Sequence, residues 1–255
     1  MVKAIFFDID GTLLSHTDGR VPQSTQKAFS RLRKKGIKLF AATGRHMLEL
    51  EQLSLSPLLF DGYVTLNGQL CLDAKGTLLY DTPISHDDVM QMIPLFETRQ
   101  FPIMIVEENK MYINCVTEAV ERAQQAISTP IPEVGIYRGD RIYQFIVYTQ
   151  NGETDQLLKQ LTDCKMSRWN QYAVDIIPRN GGKIVGIRYI LSRLGIGLNE
   201  IAAFGDGEND IDMLHCAGVG IAMGNASEIV KQQADYITDS IDQDGLANAL
   251  DHFNW

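Results

Sequence analysis

The chain has 255 residues, 45% apolar and 22% charged, an ordinary globular balance. Its net charge of −9 and isoelectric point near 5.0 argue against a nucleic-acid partner, which requires a basic face. No apolar run reaches the roughly 18 residues of a membrane span, so no membrane association is expected.

A chain of this length buries roughly 70–75% of its unfolded surface without cross-links. The four cysteines (Cys71, Cys115, Cys164, Cys216) show no CxxC spacing and read as buried small hydrophobes in a reducing compartment. The opening MVKAIFFDID lacks the small-residue cleavage site of a signal peptide. A soluble, cytoplasmic protein is expected.

Along the chain, Lys3–Phe7 is an apolar run that reads as a buried strand ending at Asp8. A helical pattern over Gln23–Lys35 stops at Gly36. Ile37–Ala42 is a second strand, Met47–Leu53 a short helix and Gly62–Leu66 a third strand. Strands alternating with helices predict a parallel sheet.

From Gln69 the pattern changes. Gln69–Asp73 and Thr77–Thr82 form a predicted hairpin, followed by a helix over Asp87–Arg99 capped at Ser85. Strands at Ile103–Glu107 and Met111–Cys115, a helix at Glu118–Ile127, a strand at Tyr143–Tyr148, a helix near Thr154–Leu161 and strands at Lys165–Trp169 and Ala173–Ile177 suggest an α+β insert with an antiparallel sheet. The α/β alternation then returns: helix Lys183–Leu194, strand Ile201–Phe204, helix Asp210–Cys216, strand Val219–Ala222, and helices Ala226–Ala234 and Gly245–His252. The expected architecture is an α/β core domain with a parallel, Rossmann-like sheet (1–82 and 183–255), interrupted by an α+β cap domain (83–182).

Four strings carry the chemistry. Asp8 and Asp10 stand two residues apart in DIDGTL at a strand end, where open α/β sheets bind ligands, and Gly11 permits the chain to turn there. Anions that close repel unless a cation lies between them. Thr43-Gly44-Arg45 follows the second strand, offering a hydroxyl and backbone N–H groups suited to a phosphate oxygen. Lys183 opens a helix after Asn180-Gly181-Gly182 and could set a point charge against a phosphoryl group. Gly205-Asp206-Gly207-Glu208-Asn209-Asp210 puts three acids at another strand end, a plausible hard-cation site without the spacing of an EF-hand. Each string alone also has a plainer reading: a polar loop after a strand for Asp8 and Asp10, a capped helix start for Thr43-Gly44-Arg45, a solvated surface lysine for Lys183, and a polar loop with a helix cap for the last. The five histidines form no metal-binding pattern.

Taken together, DIDGTL, ATGR, the late lysine and GDGEND, in that order, resemble the haloacid dehalogenase superfamily, and within it the Cof-type, sugar-phosphatase-like branch with a large (class IIB) cap between the second and third motifs. The resemblance implies a magnesium-dependent phosphatase acting on a small phosphorylated metabolite. Asp8 would be the nucleophile that forms an aspartyl-phosphate and Asp10 the general acid and base. Thr43, Gly44, Lys183 and Asn209 would bind phosphate. Asp8, Asp206 and the main-chain carbonyl of Asp10 would hold Mg2+. Arg45, Asn67, Gly68 and Asp210 would support them. The chain departs from the family in carrying Gly182 where members often have Ser before the lysine. A phosphomannomutase-like phosphomutase and a non-catalytic binding module for phosphorylated metabolites remain as alternatives. Substrate choice is expected in the cap, where Arg141, Tyr143 and Trp169 are candidates that no pattern selects. Monomer and homodimer are both open.

Overall fold

Ala4–Phe7 (β1) is buried along its whole length, as a strand without polar alternation must be when helices cover both faces of its sheet. A computed structural model describes residues 1–55, 58–127, 129–149 and 161–255. They form two compact units, Met1–Asp81 with Gly182–Trp255, and Thr82–Gly181.

After β1 the first unit carries α1 (Gln23–Lys34), β2 (Lys38–Ala42), α2 (Met47–Leu50), β3 (Gly62–Thr65), β4 (Leu70–Asp73) and β5 (Leu78–Asp81). The second unit contributes α3 (His86–Thr98), β6 (Ile103–Glu107), β7 (Met111–Ile113), α4 (Glu118–Ala126), β8 (Ile142–Tyr148), β9 (Cys164–Asn170) and β10 (Ala173–Pro178). The first unit then resumes with α5 (Lys183–Leu194), β11 (Ile201–Gly205), α6 (Ile211–Cys216), β12 (Val219–Ala222), α7 (Glu228–Lys231), β13 (Tyr236–Ile237) and α8 (Gly245–His252).

The first unit's eight-stranded sheet has the order β13-β12-β11-β1-β2-β3-β4-β5. It is parallel from β13 to β3 and antiparallel over β4 and β5. Successive residues point to opposite faces. Ile5 and Phe7 meet Phe29 and Leu32 of α1 and Leu246 and Leu250 of α8, while Ala4 and Phe6 meet Ile187 and Leu191 of α5 and Met213 of α6. Phe7 stacks on Phe204 and Phe6 on Phe40, with centroids 5.3 and 4.8 Å apart. The chain leaves β1 for β2 on one side and returns to β11 on the other. This reversal of strand order opens a crevice at the carboxyl ends of β1 and β11, the usual ligand position in such sheets.

The predicted α/β core is therefore observed, with local differences. The β4–β5 hairpin, where the sequence pattern turns antiparallel, extends the core sheet; the Tyr189 hydroxyl of α5 donates to the Leu79 carbonyl at 2.7 Å and its ring stacks on Tyr80. The helix expected over 226–234 shrinks to α7, because Gln233 and Ala234 turn back onto Val230 and Lys231. The chain then enters β13, too short to show a pattern in sequence. In the second unit the antiparallel order is β7-β6-β8-β10-β9, with Val89, Met92 and Phe96 of α3 packed on Ile105, Phe145 and Ile176. The helix expected near 154–161 lies, but for Leu161, outside the described residues. Among the described residues no helix is long and apolar enough to cross a membrane.

Candidate active site

Asp8 continues β1, its N–H donating to the Phe204 carbonyl at 2.9 Å. The chain then folds sharply, with the N–H groups of Leu13 and Leu14 both donating to the Ile9 carbonyl. Gly11 adopts φ +79°, and a Cβ there would lie 2.2 Å from Asp206 Oδ2, so only glycine lets the Asp206 carboxylate reach this loop. Asp206 follows β11 and accepts from the Thr12 hydroxyl at 3.0 Å and from Asn225 Nδ2 at 3.1 Å. Asn225 also donates to the Gly11 carbonyl at 2.9 Å and accepts from the Ile241 N–H, tying three loops together.

Lys183, the first residue of α5, is fully buried. Its Nζ donates to Asp8 Oδ1 at 2.6 Å and to Asp210 Oδ1 at 2.5 Å. Asp210 uses its other oxygen to accept the N–H groups of Asp206 and Gly207, at 3.0 and 2.9 Å. It thus orders the loop that presents Asp206 and holds the lysine. The Asp10 carboxylate is gripped by Arg45, whose Nε and Nη2 donate at 2.6 and 2.8 Å in a two-pronged pair.

Thr43, buried at the end of β2, accepts the Arg45 N–H on its hydroxyl oxygen at 3.1 Å, which leaves the hydroxyl proton to donate elsewhere. Leu66, Asn67 and Gly68 all have positive φ, a strained run held by Leu66 N–H to the Arg45 carbonyl and Asn67 N–H to the Thr43 carbonyl. This turn places Asn67 Oδ1 to accept from Asn209 Nδ2 at 3.0 Å. Gly44 makes room for it, since a Cβ at 44 would stand 3.2 Å from that same oxygen. Gly68 approaches the Gly182 carbonyl so closely that a Cβ would lie 2.1 Å from it.

Residues 5–250 match the family model of the haloacid dehalogenase-like hydrolases. The chain is also 30% identical over 251 residues to YkrA of Bacillus subtilis strain 168, covering 97% of this chain and 96% of YkrA. The chain belongs to the haloacid dehalogenase-like hydrolases. Among solved structures, the hydrolase is similar to BT1666 of Bacteroides thetaiotaomicron, a phosphatase of the same superfamily, with TM-score 0.91 and 31% identity over 100% of this chain and 96% of that one. It is also similar to the subclass IIB sugar phosphatase BT4131, with TM-score 0.88 and 34% identity over 99% of each chain. These likenesses make it a Cof-type hydrolase and a phosphatase.

The residues of this hydrolase fit a divalent cation. Asp8, Asp206 and Asp210 each bring a carboxylate oxygen within 4.8 Å of the others, and the ammonium of Lys183 bonds to two of them. Burial and then Asp210 raise the Asp8 carboxyl well above the ordinary range, although adjacent Lys183 opposes the rise. Burial and Asp210 push Asp206 up to about 6. Burial alone would lower the Lys183 pKa, but the charges of Asp210 and Asp8 outweigh it and raise it, so the lysine stays charged. Three carboxyl groups crowd around one ammonium here, and a hard cation with oxygen ligands would offset the repulsion among them.

The structure brings Asp8, Lys183, Asp206 and Asp210 into contact, Asp10 against Arg45, and Asn67 against Asn209. Sequence reading missed Thr12 and Asn225. Asn225 follows β12, another parallel strand, so its position at a carboxyl end was an available signal. In the second unit Tyr143 is buried and Arg141 exposed; the Trp169 side chain lies outside the described residues.

Proposed function

We propose that this phosphatase hydrolyses small phosphorylated metabolites, sugar phosphates first among them, through an aspartyl-phosphate on Asp8. The supporting observation is the fully buried Lys183 clamped between Asp8 and Asp210 beside Asp206. The full-length likeness to a sugar phosphatase supports the substrate class.

Lys183 holds Asp8 Oδ1, and Asp8 Oδ2 has no donor among the described residues. That oxygen attacks phosphorus, the P–O ester bond breaks, and the leaving alkoxide takes a proton from Asp10. In the second step Asp10 accepts a proton from water as the water attacks the phosphoryl group, releasing phosphate and restoring the Asp8 carboxylate. The Arg45 fork holds the Asp10 carboxyl in place through both of its oxygens; the first step requires Arg45 to release one oxygen so that Asp10 can carry the proton it donates. The Thr43 hydroxyl, the Gly44 N–H and Lys183 bind the phosphoryl oxygens, with Asn209 positioned by Asn67. Mg2+ held by Asp8, Asp206 and the main-chain carbonyl of Asp10 would offset charge on both the nucleophile and the phosphoryl group. A covalent intermediate divides a very slow hydrolysis into two easier displacements.

The test is phosphate release from a panel of hexose and pentose phosphates, phosphoglycolate, pyridoxal phosphate, nucleotides and flavin mononucleotide, with magnesium and with chelator. Magnesium-dependent release, highest on sugar phosphates, is expected. Isomerisation of a hexose 1-phosphate without release would instead make the protein a mutase, and release unaffected by chelator would remove the metal from the account.

A further inference from the structure

We infer that Asp212 is the positioning residue of the lysine helix: its carboxylate caps α5 in place of the side chain that Gly182 lacks. The inference rests on the reading of Lys183 as the phosphate-binding lysine.

The first N–H groups of a helix have no partner within it, and an oxygen at the N-cap residue, usually of Ser, Thr, Asp or Asn, ordinarily accepts one of them. Gly182 is the N-cap of α5 and offers none. The bond is instead made from another helix. Asp212, in the first turn of α6, accepts the Ile184 N–H on Oδ2 at 3.2 Å. Ile184 is the second residue of α5, the position whose N–H an N-cap side chain commonly binds. The same carboxylate places negative charge at the positive end of the α5 dipole.

Glycine at 182 is part of the same arrangement. A Cβ there would lie 2.2 Å from Asp212 Oδ2, so any side chain at 182 would push the capping carboxylate away. Gly182 also has φ +153°, a conformation few other residues adopt. The start of α6 therefore holds Lys183 at both ends: Asp210 takes its Nζ, and Asp212, two residues on, takes the backbone N–H next to it. Loss of the second tether would let the first turn of α5 shift and carry Nζ away from Asp8 and the phosphoryl oxygens.

Four variants test this, with Lys183→Ala alongside. Asp212→Ala should lower kcat on the order of 10- to 100-fold, the range expected when a catalytic group moves by about 1 Å, with a smaller change in KM. Asp212→Asn keeps an oxygen for the Ile184 N–H and should recover to within about threefold of wild type, as Asn caps helices about as well as Asp. Gly182→Ala should resemble Asp212→Ala, and the double variant Gly182→Ala/Asp212→Ala should be no worse than the poorer single variant, within about twofold, since both lose one contact. The protection of the Ile184 amide from hydrogen exchange should fall in Asp212→Ala and return in Asp212→Asn, whatever the activity. Wild-type kcat in Asp212→Ala, an Asn variant as poor as the Ala variant, or losses that multiply in the double variant would each overturn the inference. If Lys183→Ala keeps wild-type turnover, the reading of the lysine has failed instead, and the exchange result alone decides the capping.

Discussion

Replacing Lys183 by Met should show how strongly the site depends on that one cation. The side chain is fully buried and bonds to Asp8 and Asp210 at 2.6 and 2.5 Å. Methionine fills similar space but leaves both carboxylates without their partner. Breaking a buried ion pair by removing one member typically costs about 3–5 kcal/mol, because the remaining charge stays buried. For a chain of this size each kcal/mol shifts the melting temperature by roughly 2–4 °C, so a drop on the order of 10 °C is expected. Asp8 already holds its proton above the ordinary carboxyl range and would hold it more firmly in the variant, which limits the cost in acid. The deficit should therefore shrink on acidification, by up to about 1.4 kcal/mol per pH unit for one proton taken up. Lys183→Met/Asp210→Asn, which removes a carboxylate charge as well, should regain part of the loss. The assay is thermal melting in chelator at two pH values, with phosphate release measured in parallel and expected to fall at least about 100-fold. A Lys183→Met protein that melts within about 2 °C of wild type at neutral pH would mean that Lys183 is not paired with Asp8 and Asp210 as a buried ion, since such a pair cannot be broken that cheaply.

Asp8→Asn is nearly isosteric and should keep the fold while abolishing phosphate release; wild-type turnover would remove Asp8 as nucleophile. Arg45→Lys cannot make the two-pronged contact to Asp10, and steady-state kinetics should show kcat reduced about tenfold or more, in the range of a misplaced general acid–base. In metal-free protein Asp206 titrates near 6, so the folded state holds more protons than the unfolded chain between about pH 4 and 6. Chelated stability should therefore fall as pH rises through that window, while magnesium affinity measured calorimetrically should rise as the proton leaves; pH-independent affinity from 5 to 7 would contradict the raised carboxyl. Asn225→Ala removes donors to Asp206 and Gly11 and should weaken magnesium binding more than it lowers the melting temperature.

The sequence already marked the strand ends. The apolar runs before Asp8, Thr43 and Asp206 are buried strands because both sheet faces are covered, and the motifs after them fall in the crevice where strand order reverses. Contacts between distant segments left no local signal. Arg45 grips Asp10 across 35 positions, and Asn225 joins Gly11 across 214. Gly182 read only as a missing serine, because the carboxylate that fills its Cβ space comes from Asp212 in another helix. The β4–β5 hairpin shows antiparallel patterning in sequence, yet its anchoring to the core through Tyr189 appears only in three dimensions. Strand β13, with two residues, offers no period to detect.

In the proposed mechanism Asp8 carries the phosphoryl group between two displacements. Acid-quenching the enzyme within its first turnover of a hexose phosphate with magnesium, and locating any bound phosphate by peptide mass spectrometry, tests this step. A phosphorylated peptide with the group on Asp8, lost on longer incubation and absent from Asp8→Asn, is expected. Release of phosphate at full rate with no phosphorylated Asp8 at any quench time, under conditions that preserve acyl phosphates, would mean that water attacks the substrate directly.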